Sequence, residues 1–295
     1  MKHLHLLLLP LLISSCHDDN LNFNATGTFE ATEVTLSAEQ NGRLISLTIQ
    51  EGDPVSSGDT IALTDTLPLH LKLQQIQALA HVYASQRPDT RKQSAALQEQ
   101  LAKTRQDYDR FNALIADGAA NRKQLDDADA QVRITSSQLD ALLSSLATST
   151  NSLNAQIDAA QAESRIVLDQ LHKCHVTSPI SGIVIAKYAQ QGEFLSTGRP
   201  ILKVADLDDI FLRAYITSSQ LSQIKLGQEV MVYADYGDNI TKAYPGHISW
   251  ISSKSEFTPK TILTNDERAD LVYAVKVAVH NDGEIKIGMY GKLKF

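Results

Sequence analysis

The fold is decided by two stretches of sequence, GRLISLTIQEGDPVSSGDTI at residues 42–61 and GIVIAKYAQQGEFLSTGRPI at residues 182–201. Three glycines recur in them at one spacing, offset by 140 residues: Gly42, Gly52 and Gly58, then Gly182, Gly192 and Gly198. Each stretch predicts a strand, a glycine turn, a short strand, a second glycine turn and a further strand. Glycine suits these positions because tight reversals need a positive φ or a close backbone approach that a Cβ atom would obstruct.

Two such halves, residues 38–65 and 174–205, are predicted to pack together as one flattened, quasi-symmetric β-sandwich. This arrangement resembles the lipoyl or biotinyl carrier domain. The segment Ser178-Pro179-Ile180-Ser181-Gly182 is similar to the start of the second half in the HlyD family of membrane fusion proteins. If the halves form one compact unit, the residues between them must project outward.

The intervening residues, 66–173, are predicted to form a long α-helical hairpin. Seam residues step by four and three along both arms, which is the heptad pattern of a coiled coil. The first arm carries Leu97, Leu101, Thr104, Tyr108, Phe111 and Ile115, and the return arm carries Leu125, Ala128, Val132, Thr135, Leu139, Leu142, Leu146, Ser149 and Leu153. The Ser and Thr residues on the seam weaken the packing, so a loosely packed spacer is the plainer interpretation.

A turn and a break divide this hairpin. The segment Asp117–Asn121 supplies a helix stop and a new N-cap, with Gly118 suited to the left-handed position after the first arm. Pro88 cannot donate a backbone hydrogen bond, so the first arm is expected to break or kink there. The second arm would extend about 80 Å, which is far longer than a globular core needs.

After Asp206 the sequence changes to short alternating strands, which predict a small β-barrel over residues 206–295. The predicted strands are Ile210–Ile216, Val230–Ala234, His247–Ile251, Val272–Val279 and Lys292–Phe295, and a strand over residues 27–37 is expected to help close the barrel. The chain is therefore predicted to be an elongated α+β multidomain protein. Its lipoyl-like β-sandwich is split by the coiled-coil hairpin and followed by the barrel.

The N-terminal residues predict a membrane attachment. Residues 1–15 have the cationic start and short apolar core of a signal peptide. They end before Cys16 in Ile13-Ser14-Ser15-Cys16, which resembles the bacterial lipobox, whose cysteine is diacylated. We therefore expect lipid on Cys16 and a linker over residues 16–26; the alternative is an ordinary cleavage site beside Cys16. No later apolar run reaches transmembrane length, and a lipidated Cys16 would leave Cys174 without a disulfide partner.

Composition and motifs argue against several classes of function. The chain has 27 basic and 34 acidic residues and a net charge of -7, so it lacks the basic surplus that drives nucleic-acid binding. No carboxylate pair, nucleophile motif or phosphate loop stands at a recognisable spacing. We therefore predict that the protein is not an enzyme.

The residues argue against two cofactor hypotheses. A lipoyl or biotinyl carrier presents a lysine between its two halves, but Asp65-Thr66-Leu67 occupies that place here without a lysine. His172, Cys174 and His175 are suitable ligand types for zinc or copper. Adjacent residues at a helix end point in divergent directions, however, and no second cluster completes a four-ligand site. No cofactor and no metal are therefore expected.

The order of lipobox, half sandwich, hairpin, half sandwich and barrel resembles the HlyD family of periplasmic adaptor proteins over nearly the whole mature chain. Residues 255–261, 270–273 and 287–295 are similar to segments of the members that serve ABC-type exporters. The resemblance implies a periplasmic adaptor, lipid-anchored to the inner membrane of a Gram-negative bacterium. It would form a hexameric ring that links an ABC-type permease to a TolC-type outer-membrane channel.

The resemblance also implies where the channel docks and where the modules bend. In the family the hairpin tip contacts the duct through an arginine, a leucine four positions later and a serine seven positions beyond that. Arg110 and Leu114 match this spacing, whereas the serine position holds Asn121, a departure that keeps the polar character of the site. Bending between modules is expected at short links such as Ala205–Leu207.

Two other functions fit parts of the sequence. One is an adaptor for a proton-driven, RND-type pump; the chain stops where many such adaptors have a membrane-proximal domain, which we expect to be absent or reduced. The other is a structural coiled-coil lipoprotein that spaces the layers of the envelope. Such a spacer role explains the hairpin but gives the paired glycine halves no purpose. For a transport role, the sequence does not reveal the cargo.

Overall fold

A computed structural model describes residues 23–237, 240–257 and 271–295. The predicted signal peptide and Cys16 lie outside the described residues. The first part of the chain contains strands β1 (Ala25–Ser37), β2 (Gly42–Ser46), β3 (Pro54–Val55) and β4 (Thr60–Thr64), then helices α1 (Leu67–Ser85), α2 (Thr90–Ala116) and α3 (Arg122–Lys173). The second part contains β5 (His175–Thr177), β6 (Gly182–Lys187), β7 (Phe194–Leu195), β8 (Pro200–Thr217), a 3-10 turn (Leu221–Gln223), β9 (Glu229–Asp235), β10 (Thr241–Ile251), β11 (Glu256–Phe257), β12 (Leu271–His280) and β13 (Tyr290–Lys294).

The two glycine-rich halves fold onto each other as one sandwich. Strand β2 of the first half pairs with β7 of the second, and β3 pairs with β6. The hydrogen bonds repeat with the sequence offset: Gly52 N donates to Val184 O at 2.9 Å, and Gly192 N donates to Leu44 O at 2.8 Å. Leu44, Val184 and their apolar neighbours from both halves form a single buried core. Neither half could bury its apolar face without the other.

The six glycines play three different parts. Four have a positive φ between 86° and 94°, and these are Gly52, Gly58, Gly192 and Gly198. Gly42 and Gly182 were predicted as turn glycines, but both lie within strands, at the starts of β2 and β6. A Cβ on Gly182 would lie 2.2 Å from the Ala205 carbonyl oxygen, whereas a Cβ on Gly42 would make only ordinary contacts at 3.5 Å. Gly182 is therefore required by close backbone approach, and Gly42 is not required at all.

The helices form an antiparallel hairpin in which α1 and α2 pack in succession along α3. The predicted break at Pro88 lies between α1 and α2, where Asp89 caps α2 by accepting a hydrogen bond from Lys92 N at 3.1 Å. An ion pair joins Lys72 Nζ to Glu163 Oε1 at 3.0 Å, near the sandwich end of the hairpin. With 52 residues, α3 is about 80 Å long.

The buried residues of α3 shift in position where its packing partner changes from α2 to α1. One row of seam residues continues along the whole helix and includes Leu139, Leu146, Ala160 and Val167, all of which are buried. In the part of α3 that faces α2, the second row passes through Thr135. In the part that faces α1, it passes through Ile157 and Leu171, which lie one position later than a strict seven-residue repeat from Thr135 would place them. The predicted seam residue Ser149 is exposed, so that prediction was wrong. The break at Pro88 lets α1 approach α3 from a different side than α2 does.

The barrel is a closed ring of strands. Strand β1 pairs with β8 and β13, and the remaining pairs are β13–β9, β9–β10, β10–β12 and β12–β8. The predicted strand 27–37 therefore joins the barrel as β1. Phe29, Leu212, Val232, Val277 and Leu293 are among the fully buried residues of its core.

The sandwich and the barrel share a continuous two-stranded ribbon. Strands β1 and β8 pair from Thr26–Tyr215 in the barrel to Ser37–Pro200 in the sandwich. Two irregularities interrupt the pairing, a small one between Leu36 and Ser37 and a larger one where Thr32 pairs with Asp206 and Ala31 pairs with Ile210. Leu207–Asp209 therefore bulges out of β8. The hinge predicted at Ala205–Leu207 thus lies within a paired strand and at the edge of a bulge, not in a free link.

Candidate interaction surfaces

The hairpin tip is a five-residue turn closed by its own hydrogen bonds. Gly118 has a φ of +69° and its backbone N donates to Ile115 O at 3.0 Å, while Ala119 N donates to Leu114 O at 2.8 Å. These bonds satisfy the last carbonyls of α2. Asn121 begins α3 with a reciprocal cap: Gln124 N donates to Asn121 Oδ1 at 2.9 Å, and Asn121 N donates to Gln124 Oε1 at 3.2 Å. The conformation of the tip is therefore fixed by the chain's own hydrogen bonds, without a partner.

The three predicted docking residues are exposed but not equivalent. Arg110 and Leu114 lie one helical turn apart on α2, and Arg110 forms an ion pair with Asp107 on the same helix. Leu114, near the end of the helix, is an apolar residue that is 36% exposed. Asn121 uses its side-chain oxygen in the helix cap. Arg110 and Leu114 are consequently available to a partner, whereas Asn121 already has a structural role.

A groove next to the tip was not predicted from the sequence. It lies between α2 and α3, has a volume of about 330 Å³ and is lined by Thr104, Asp107, Phe111, Gln124, Asp127, Ala128 and Gln131. Phe111, Ala128 and Thr104 are among the predicted seam residues, so the seam does not close fully around them.

Helix α1 has apolar residues on two faces. Ile76, Leu69 and Leu73 pack toward α3, as part of a small core with Ala160 and Val167. The opposite side carries four large side chains that are between 44% and 61% exposed: Leu67, Leu71, Leu79 and Val82. The only Lys or Arg in α1 is Lys72, and the helix has no Asp or Glu. A helix that is apolar on both sides is typically enclosed on both sides, so this outer face of α1 is a candidate contact surface.

The residues at the carrier-lysine position and in the His172–His175 segment make structural contacts. Asp65 accepts a hydrogen bond from Leu67 N at 3.0 Å and so helps begin α1. Cys174 is buried at the end of α3, with its sulfur 3.4 Å from Gln170 O, and His175 Nδ1 lies 3.2 Å from Leu171 O. Within the described part of the chain, no three His, Cys, Asp or Glu side chains are grouped so that they could hold a metal ion.

A family comparison accounts for this arrangement. The model of the family described as RND MFP, barrel-sandwich hybrid domain, matches residues 32–206, which is more than half of the chain. The matched residues begin in β1, include both halves of the sandwich and the whole hairpin, and end in β8. The chain belongs to the membrane fusion protein family. Members of this family are periplasmic adaptors that work with an inner-membrane transporter and an outer-membrane channel, and they are not enzymes.

Relatives of this membrane fusion protein match along most of their length. It is 26% identical over 298 residues to a UPF0194 membrane protein of Acidithiobacillus ferridurans, covering 94% of this chain and 88% of the relative. It is 29% identical over 294 residues to a UPF0194 membrane protein of Enterobacter sp., covering 91% and 87% respectively. No helix within the described residues combines the length and the apolar character needed to cross a membrane.

Solved structures share the fold of this membrane fusion protein. MacA from Actinobacillus actinomycetemcomitans superimposes with a TM-score of 0.57 at 22% identity, covering 91% of this chain and 76% of that one. A MacA-MexA chimera that contains the Pseudomonas aeruginosa MexA α-hairpin domain gives a TM-score of 0.52 at 23% identity, with the same coverage. Identities this low establish the common fold alone.

The barrel of this membrane fusion protein also contains one dense polar cluster. Lys242 Nζ lies 2.5 Å from Asp282 Oδ2 and 2.8 Å from Glu284 Oε2, and the Tyr244 hydroxyl donates to Asp282 Oδ1 at 3.1 Å. The hydrogen bond from Lys242 lowers the pKa of Asp282, and burial raises the pKa of Tyr244. Because the Lys242 amine bridges both carboxylates, the cluster fastens the turn after β12 to β10.

Proposed function

We propose that this chain is the periplasmic adaptor subunit of a tripartite efflux or secretion system. In this proposal lipid on Cys16 anchors it to the inner membrane, its barrel and sandwich stand against an ABC-type permease, and its hairpin reaches a TolC-type outer-membrane channel. The observation that carries the proposal is the 52-residue helix α3, which projects from a sandwich whose halves are closed by reciprocal hydrogen bonds. Such a rod can place a docking tip far from the barrel.

The tip supplies the test of channel docking. We expect Arg110→Cys and Leu114→Cys to crosslink to an outer-membrane channel in intact cells through a bifunctional cysteine reagent, because both positions are exposed next to the turn. Asp140→Cys, an exposed position in the middle of α3, is the matched control and should give no crosslink to the channel. Immunoblotting and mass spectrometry of the crosslinked band measure the result. If both tip variants behave like Asp140→Cys, the docking proposal fails.

Asn121→Cys is a weaker probe than the two α2 positions. It removes a side-chain cap, which costs about 1 kcal/mol of helix stability, and Asn121 belongs to a reciprocal capping box. A negative result there would not separate loss of docking from fraying of α3. Arg110 and Leu114 carry no such role in the turn.

The outer face of α1 supports assembly into a ring, for which we propose six copies. We expect Leu71→Glu with Leu79→Glu to weaken self-association at least about tenfold, because each charge would be placed in a contact that is otherwise apolar. His70→Glu with Gln77→Glu adds the same charges to the same helix outside that face and should assemble normally. Light scattering of purified protein over a concentration series measures the difference. Equal assembly of the two variants would remove α1 from the ring contact.

The type of transporter is the open choice in this proposal. Residues 255–261, 270–273 and 287–295 resemble segments of adaptors that serve ABC-type exporters, whereas the matching family model carries the RND designation. Identification of the permease that co-purifies from crosslinked envelopes distinguishes the two. A structural lipoprotein without a transport role would co-purify with neither, and its deletion would leave export and drug sensitivity unchanged.

A further inference from the structure

The N-terminal end of the described chain is fixed to one end of the barrel. Asn24 N donates to Leu293 O at 2.8 Å, Phe295 N donates to Asn24 Oδ1 at 2.9 Å, and Gln220 Nε2 donates to Asn24 O at 2.6 Å. The Phe23 ring packs edge-on against Tyr233, with the ring centroids 5.2 Å apart. Strand β1 then runs from this end of the barrel toward the sandwich. The chain therefore leaves the barrel at the end that is distal to the sandwich.

The distance from Cys16 to this point is short. Six residues separate Cys16 from Phe23, so even a fully extended chain spans at most about 25 Å between them. The wall of the barrel along β8, from Ile210 to Thr217, has a similar length of about 23 Å. Because the chain emerges at the distal end, a lipid on Cys16 would hold that end next to the membrane, and only a linker extended back along the whole barrel could reach the end that carries the sandwich.

The same distal end carries an exposed leucine. Leu226 is 69% exposed in the turn before β9, which is closed by a hydrogen bond from Gln228 N to Lys225 O at 3.1 Å. A side chain at such a turn can enter a lipid surface without any change in the strands. A single exposed leucine would be unremarkable by itself, but this one lies at the end of the barrel that the anchor would hold near lipid.

Three exposed lysines lie at the same end of the barrel. Lys225 precedes Leu226 in the same turn, Lys294 ends β13, and Lys254 lies in the turn after β10. Among the described residues none of the three has a carboxylate within ion-pair distance, and the exposed carboxylate nearest in sequence to Leu226 is Glu229. We name Lys225, Leu226, Lys254 and Lys294 the distal surface.

We propose that the distal surface binds the lipid headgroup region directly, with Leu226 at the boundary of the acyl chains and the three lysines against anionic phosphates. Each lysine near an anionic leaflet contributes favourable electrostatic energy, and an exposed leucine contributes apolar burial. Both contributions are weak alone. A six-residue tether raises the effective concentration of the surface at the membrane, so weak contacts suffice. The lipid would then orient the barrel as well as retain it.

The test compares two leucine-like positions at opposite ends of the barrel. Leu226 and Ile240 are similarly exposed, at 69% and 63%, but Ile240 lies in the turn next to the sandwich end. Full-length protein carrying Leu226→Cys or Ile240→Cys is labelled with an environment-sensitive dye; Cys174 is buried and Cys16 would be blocked by its lipid. In vesicles of phosphatidylethanolamine and phosphatidylglycerol with nitroxide-labelled lipid, we expect quenching at 226 to exceed quenching at 240 by at least about threefold.

The lysines give a second readout in the same assay. The triple variant Lys225→Gln, Lys254→Gln, Lys294→Gln should lose most of the difference between 226 and 240, and high salt should do the same to the unmodified surface. Equal quenching at both positions, or none at either, would overturn the proposal and would favour a protein, such as the permease, as the partner of this end.

Because this inference rests on the proposed lipid anchor, the mass of the N-terminal peptide is measured on the same sample. If Cys16 is not acylated, both the lipid anchor of the proposed function and the tether on which the distal surface depends are wrong. An acylated Cys16 without selective quenching at 226 leaves the anchor intact and defeats the distal surface alone.

Discussion

Gly182→Ala is expected to lower the free energy of unfolding by about 3 kcal/mol, whereas Gly42→Ala, at the equivalent position of the first half, should change it by less than about 1 kcal/mol. The new Cβ on residue 182 would lie 2.2 Å from Ala205 O and 2.7 Å from Ala205 C, which are backbone atoms. Strand β6 cannot shift away easily, because it pairs with β3 on one side and β8 on the other. Strand β8 is in turn held by β1.

The Gly42 variant is the matched control for this experiment. Its new Cβ would lie 3.5 Å from Asp65 N and from the Thr64 Cβ, and Gly42 has no positive φ. Urea unfolding of both purified variants, combined with hydrogen exchange of residues 182–187, measures the two effects. Similar stability of the two variants would show that β6 and β8 can separate enough to admit a methyl group, contrary to the packing described here.

The contrast between Gly42 and Gly182 shows which features of the fold the sequence alone could predict. The repeat places Gly42 and Gly182 at equivalent positions, and the strands and reciprocal pairing of the two halves follow from it. The difference between them comes from the strand that each one faces. Strand β4 ends at Thr64, where the chain turns into α1, but β8 continues past Ala205 into the barrel and crosses close to Gly182. That continuation depends on long-range pairing with β1, which no local pattern contains.

The hairpin shows a similar division. Pro88 and the segment around Gly118 are local signals, and the helix ends lie beside them. The exposed Ser149 could not be foreseen from the heptad spacing, because the seam of α3 depends on whether α1 or α2 lies against it. At the tip, Asn121 was recognised both as a helix cap and as a docking residue. The structure provides geometry for the first role, in the reciprocal bonds with Gln124, while the second remains a prediction.

Asn281 is a buried polar residue that sequence reasoning missed, and it lies beside the predicted hinge. It is buried beside the bulge of β8, and its backbone N donates to Asp208 O at 2.9 Å. Its side-chain Nδ2 donates to Leu207 O at 2.8 Å and to Ile285 O at 3.1 Å. Its Oδ1 accepts from Gly283 N at 3.1 Å and from Ile285 N at 3.0 Å. One side chain thus joins the bulge to the turn that follows β12.

Asn281→Ala is therefore expected to cost about 3 kcal/mol of unfolding free energy, since two carbonyls and two N–H groups lose their partner in a buried place. Asn41→Ala is the control: Asn41 is an exposed asparagine that accepts a hydrogen bond from Thr197 N at 2.7 Å, and water can replace it there. We expect that variant to lose no more than about 1 kcal/mol. Urea unfolding of the two variants measures the difference.

The same substitution tests how the barrel is held against the sandwich. Spin labels on Ser196→Cys in the sandwich and Gln223→Cys in the barrel report the distance between the two modules, and both positions are exposed. With Asn281 present the ribbon and the bulge are both fixed, so a narrow distance distribution is expected. Asn281→Ala frees the bulge while leaving the β1–β8 pairing in place, and the distribution should become roughly twofold wider. An unchanged width would mean that the ribbon alone sets the angle, and motion of the transporter would then have to be relayed by bending of β1 and β8 themselves.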